Sequence, residues 1–276
     1  MITVESSIEG PAEVAGPPRL LVLAFREARR VARHPATWLP LGVAALSIGS
    51  AAATATTRFS ASSLYDSIFI AVAALGPVAA IFAADLVATS ARRARAEEML
   101  RATPTPETER TLALCLGVAF AFGGIGLACA AVMTLVEVEG SLAIHEVQTN
   151  GELAQIPPIV AAGGLLGVLT ARWLRFPGAV LVTVMVFVVG GTLLSDRLEA
   201  TSPARYWFPW TTAAPLLYEG PAPTGDPRWH APYLLGLCAL ATVLAVFRDR
   251  SQWTKLVAVA VPVIALIAVF GVLQLP

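Results

Sequence analysis

Long apolar runs separated by short polar stretches organise this chain. A membrane-crossing helix needs about 20 mainly apolar residues. By that measure the sequence predicts an all-α integral membrane protein of about seven crossing helices. The runs cover 38–57, 68–89, a third ending near Val136, then 156–171, 177–194, 231–247 and 256–275. The last carries Pro262 but no charge.

Residues 19–36 follow a different pattern. At helical spacing, Arg26, Arg29, Arg30 and Arg33 fall on one narrow arc. Leu21, Ala24, Phe25, Ala28, Val31 and Ala32 fall on the opposite face. That pattern predicts a basic amphipathic helix lying in the inner membrane interface, ended by His34-Pro35. Residues 1–18 are polar and acidic, without the basic and apolar segments of a signal peptide, and read as a disordered cytoplasmic tail. Residues 37–276 read as one transmembrane domain.

The polar stretches differ in kind. The longest strongly charged one, ARRARAEEMLRATPTPETER, predicts a hairpin over 91–111 between the second and third crossing helices. No Gly or Pro occurs from Val78 to Thr103, so the pattern predicts one unbroken helix there. Such a helix covers roughly 40 Å, more than the roughly 30 Å hydrocarbon core, and would project beyond the membrane. The chain turns at Thr103-Pro104-Thr105-Pro106, with Thr105 as the expected N-cap of the returning helix. Residues 137–155 hold Glu137, Glu139, Glu146 and Glu152 but no Lys or Arg. Residues 195–230 are proline-bearing, with Tyr206, Trp207, Phe208 and Trp210, and read as an external, re-entrant-like segment.

Composition agrees with a membrane protein. Hydrophobic residues make up 56% and charged residues 14% of the 276, and the mean hydropathy is +0.70. Soluble domains average about 25% charged residues. Net charge is zero, so placement carries the information. With the N-terminus inside, fifteen basic residues fall in inner segments and four (Arg58, Arg197, Arg205, Arg228) in outer ones. That bias predicts a cytoplasmic N-terminus in a multi-pass cell-membrane protein, with an external C-terminus.

Several chemistries are excluded by what the chain carries. Its sole lysine, Lys255, sits in QWTKLV, so the chain has no P-loop. That lysine is at the inner end of the last run, the wrong place for a retinal Schiff base. His34, His145 and His230 lie near or beyond the expected membrane surfaces, and no HExxH is present. Cys115, Cys129 and Cys238 fit no metal or disulfide spacing and read as small apolar packing residues. No basic patch interleaved with aromatics points to nucleic acid. Asp85 is the one acidic residue inside an apolar run. It reads either as a proton or substrate site, or as a partner for an arginine near the inner surface.

Glu97, Glu98, Met99, Leu100, Arg101, Thr103 and Pro104, followed by Arg110, form a pattern that resembles the cytoplasmic loop of the permease subunit of type-2 ATP-binding-cassette exporters. In that loop acidic residues, a leucine, a small residue and a Ser/Thr-Pro step precede a basic residue. The amphipathic helix before the first run and the 195–230 segment resemble that family's connecting helix and external hairpin. Two features depart from it: Arg95-Ala96 stands where a glycine is common, and the seventh run is extra.

The resemblance implies a dimeric or paired permease that moves substrate across the bilayer. A separate P-loop ATPase subunit would bind ATP and Mg, and this chain would bind no cofactor and catalyse no bond chemistry. The tip from Glu97 to Pro104 would dock in the ATPase. Met99 and Leu100, apolar in a charged tip, suit that role on their own chemistry. An apolar lining favours a drug, lipid or peptide as cargo. Two other readings stand beside this one. The first is a membrane anchor that recruits a cytoplasmic partner without transport. The second is a lipid-modifying enzyme using Glu137, Glu139 and His145.

Overall fold

A computed structural model describes residues 17–38, 42, 45, 72, 75–95, 105–139, 150–197, 207, 227–248 and 253–275. All regular structure among them is helical. The order is α1 (Pro17–Arg33), α2 (Gly76–Ala88), α3 (Ser90–Arg93), α4 (Glu107–Glu139), α5 (Asn150–Leu153), α6 (Ile156–Trp173), α7 (Ala179–Arg197), α8 (Pro227–Val246) and α9 (Trp253–Leu273). Four segments are long and apolar enough to cross a membrane: Glu107–Thr134, Ile156–Trp173, Arg228–Val246 and Trp253–Leu273. Gly76–Ala88 and Ala179–Val189 are shorter apolar helices. Most of the expected first run, the start of the second and most of the 195–230 segment lie outside the described residues.

Helix α6 is the centre of the bundle. Its crossing segment is 72% buried, against 6% for α9. Prolines at its first positions suit a helix start, where their missing N–H groups have no intrahelical role. Helix α2 packs along it in parallel: Pro77 lies against Gly163, and Ile81 and Ala84 against Gly167. These are backbone-close approaches, since a Cβ at Gly167 would sit 2.3 Å from the Ile81 carbonyl oxygen. Small residues permit such contact, which matters where apolar lipid supplies no hydrophobic drive between helices. On the other side α4 runs antiparallel to α6, with Gly126 over Pro157 and Gly164 over Val118 and Phe122. Helix α8 runs parallel to α6, as Cys238 Sγ meets the Pro158 carbonyl (3.5 Å) and Trp173 Nε1 meets that of Leu244 (2.9 Å). Helices α7 and α9 run the other way, with Thr170 and Thr183 hydroxyls 2.8 Å apart.

The glycines of α4 and α6 therefore serve contacts within one chain, with one exception: nothing lies within 4 Å of a Cβ at Gly124. Around the core of Val118, Phe122, Met133, Ile156, Val160 and Leu165, the outer faces stay apolar. Leu181, Met185 and Val186 on α7, and Val261, Ile264 and Val272 on α9, are exposed. A helix apolar all round and exposed on most sides belongs in lipid, so the protein is membrane-embedded.

The unbroken helix expected from Val78 to Thr103 does not form. Helix α2 ends at Ala88, α3 ends at Arg93, and Arg95 takes a left-handed conformation (φ 55°). Local side chains add to the break. The Thr89 hydroxyl donates to the Asp85 carbonyl (2.7 Å), the Ser90 hydroxyl to that of Val87 (2.7 Å), and Arg93 to that of Leu86. Such bonds compete with the helical ladder, and basic side chains complement a helix C-terminus.

Candidate functional site at the basic end of the bundle

Five segments converge where α1, α3, the start of α4 and the ends of α6 and α8 meet. Helix α1 crosses α4 at Gly117, where a Cβ would stand 2.8 Å from the Ala24 carbonyl and 2.7 Å from the Ala28 nitrogen. The apolar arc of α1 thereby divides in two. Ala24 and Val31 are buried, while Leu21, Val22 and Phe25 remain exposed. Arg26, Arg29 and Arg33 stay on the open surface. Arg30 does not share their role: it pairs with Glu27 (3.3 Å) and donates to Ser90 Oγ.

The proposed tip residues Glu97, Glu98, Met99, Leu100, Arg101, Thr103 and Pro104 lie outside the described residues. The two stems of the hairpin are described, and both are tied to α1. Arg30 holds Ser90 on one stem, and Arg19 Nη2 donates to Thr105 Oγ1 (3.1 Å) on the other. Helix α4 starts at Glu107, with the Pro106 carbonyl accepting from Arg110 N (3.2 Å). The cap expected at Thr105 is thus one residue early.

Arginines lock the converging ends together. Arg92 Nη2 donates to the Ala171 carbonyl (3.2 Å). Arg172 Nη1 meets Glu107 Oε1 (2.6 Å). Arg248 donates to the Arg172 carbonyl. The bonds from Arg92 and Arg248 cap carbonyls at the C-terminus of α6, which lack intrahelical partners. They surround a cavity of about 290 Å³ lined by six arginines (Arg30, Arg92, Arg110, Arg172, Arg175 and Arg248) and two glutamates (Glu27 and Glu107). The buried Arg172 Nε has no hydrogen-bond partner among the described residues. Partial burial, followed by the guanidiniums of Arg175 and Arg172, lowers the pKa of Arg248 from its usual value; Glu107 opposes this. The cavity is a concentration of positive charge.

Asp85 does not enter this cavity's lining. It is half-buried on α2, and the charges acting on it are those of Arg93 and Arg92. Among the described residues it forms no ion pair within the usual distance. Of the residues proposed for an external catalytic cluster, Glu137 and Glu139 fall in the last turns of α4, and His145 is outside the described residues.

Sequence reasoning placed the inner arginines loop by loop and missed that they meet. The signal was present, since each sits within about two turns of a helix end, and the positive-inside bias stacks such ends at one level.

Compared with protein-family models, curated proteins and solved structures, the chain matches none of them.

Proposed function

We propose that this chain is the membrane-spanning subunit of an ATP-driven exporter. It forms the translocation path with a second permease and couples ATP hydrolysis on a separate P-loop subunit to efflux of a hydrophobic or amphipathic substrate. In this reading it crosses the cell membrane seven times, with the arginine-rich end in the cytoplasm and the C-terminus outside. ATP and Mg reside on the partner.

The single observation that carries the reading is the anchoring of the hairpin stems. Ser90 and Thr105 flank the acidic, leucine-bearing tip, and both are held by arginines of α1. A force applied to the tip therefore reaches α1 and, through Gly117, helix α4. Parallel α2 and antiparallel α4 both pack on α6, so tip movement is passed to the centre of the bundle. Coupling requires such a continuous packed connection.

The test is ATPase turnover of this chain reconstituted with a P-loop ATPase that copurifies with it. Glu98→Lys and Leu100→Asp are expected to abolish the stimulation that the wild-type chain gives, with assembly intact. If both variants couple normally, the tip is not a coupling element and the exporter reading fails. If the ATPase binds the tip but never drives transport, the chain is a recruiting anchor.

A further inference from the structure

We propose that the arginine-lined cavity is a binding site for a phosphate group, held among the guanidiniums of Arg172, Arg175 and Arg248. The proposal does not depend on transport and stands on the geometry of the cavity.

Charge comes first. Among the described residues the lining sets six guanidiniums beside two carboxylates, Glu27 with Arg30 (3.3 Å) and Glu107 with Arg172 (2.6 Å). Like charges held this close repel one another, and an anion between them removes that repulsion. The second observation is the Arg172 Nε, buried and without a described partner. A buried donor left unsatisfied costs about 1–3 kcal/mol, more when charged. Guanidinium groups match phosphate through paired, parallel N–H donors, and this geometry makes arginine the preferred phosphate ligand. Size also fits, since 290 Å³ stands at the lower edge of the roughly 300–1,000 Å³ of small-ligand pockets.

The phosphate has two possible carriers, an anionic phospholipid headgroup and a free phosphate in the aqueous phase. The surroundings suit both. Phe25 and Leu21 on α1 are exposed and apolar beside the exposed arginine arc, which is the pattern of a helix at headgroup level. Basic pockets between membrane helices at that level take lipid phosphates. Arg175 is exposed, so the cavity also opens to water.

The experiment titrates the purified full-length protein in neutral detergent with phosphatidylglycerol, phosphatidylcholine or inorganic phosphate. Native mass spectrometry reads retained lipid, and calorimetry reads free phosphate. The variants are Arg175→Gln, the double Arg172→Gln/Arg248→Gln, and Arg228→Gln, in the first turn of α8, as a control outside the cavity. The expected result is one saturable site for phosphatidylglycerol, inorganic phosphate or both, weakened roughly tenfold or more in the cavity variants and unchanged in Arg228→Gln. Binding of phosphatidylglycerol alone assigns the site to lipid. Binding of inorganic phosphate alone assigns it to a soluble ligand, and binding of both shows recognition of phosphate itself.

Arg175 makes none of the contacts that lock the helix ends, so its variant decides the matter if the double variant does not fold. The proposal is overturned if neither probe binds more tightly than phosphatidylcholine. It is equally overturned if Arg228→Gln loses as much binding as Arg175→Gln.

Discussion

His230 Nδ1 lies 2.7 Å from Gln274 Oε1, and this bond ties the first turn of α8 to the residue that follows α9. Both side chains are buried. At the other end Phe247 and Trp253 rings lie 4.3 Å apart. In between, Ile267 fills the space beside Gly236. The two helices are thus fastened along their full length as an antiparallel pair. In a double-mutant cycle of His230→Ala and Gln274→Ala, we expect a coupling of about 0.5–1.5 kcal/mol in thermal unfolding in detergent. Additive losses would mean that the bond contributes nothing.

The α2–α6 contact should be the least tolerant of added volume. Gly163→Ala would bring its methyl 2.5 Å from Pro77, and Gly167→Ala would bring its methyl 2.3 Å from the Ile81 carbonyl. Neither obstacle is a flexible side chain, so the helices must separate. Overpacking of this kind costs about 1–3 kcal/mol. A melting experiment should show a lowered Tm for both variants and an unchanged one for Gly124→Ala, where the space is open. Equal melting of all three would refute the packing scheme.

Under the proposed orientation, Arg175 and Leu275 face opposite compartments. The native cysteines give a quiet background for testing this, since Cys115 and Cys238 are buried and Cys129 is half-buried. A membrane-impermeant maleimide should label Leu275→Cys in intact cells. It should label Arg175→Cys only in inverted vesicles. Labelling of both from the same side would remove α9 from the set of crossing helices.

The Glu107–Arg172 pair illustrates how exposure limits an ion pair. Its separation is 2.6 Å, but the Glu107 side chain is 54% exposed. Solvent screening holds such pairs to about 0–1 kcal/mol. Glu107→Gln should therefore shift stability by no more than about 1 kcal/mol in detergent unfolding, and salt should change it little. A loss several times larger would show that the carboxylate is the main neutraliser of the arginine cluster.

What could be read from the chain and what could not separate along one line. Patterns local in sequence were legible: the arginine arc of α1 and the apolar lengths of α4, α6, α8 and α9. Each depends on periodicity or composition within a few turns. The interruption after α2 was not legible, because absence of Gly and Pro does not ensure a helix. Thr89 and Ser90 turned their hydroxyls onto the preceding carbonyls, and Arg95 took a conformation that a propensity scale assigns to glycine. The division of the α1 apolar arc depended on Gly117, more than eighty residues away. The cavity was the least legible feature. Its arginines come from five segments, and no spacing rule joins Arg30 to Arg248.

Under the proposed orientation, with α1 in the inner membrane interface, that helix sets a waterline for the whole molecule. It is clamped to α4 at Gly117, it keeps Phe25 75% exposed, and it carries its arginines alongside. In a bilayer, the aromatic ring seeks the acyl chains and the guanidiniums seek the headgroups. The bundle cannot then slide along the membrane normal without lifting one or drowning the other. A thicker or thinner bilayer is accommodated at the opposite end, where α4 and α9 finish, while the arginine end keeps its depth. Whatever meets this protein at its arginine-rich face meets it at a fixed height.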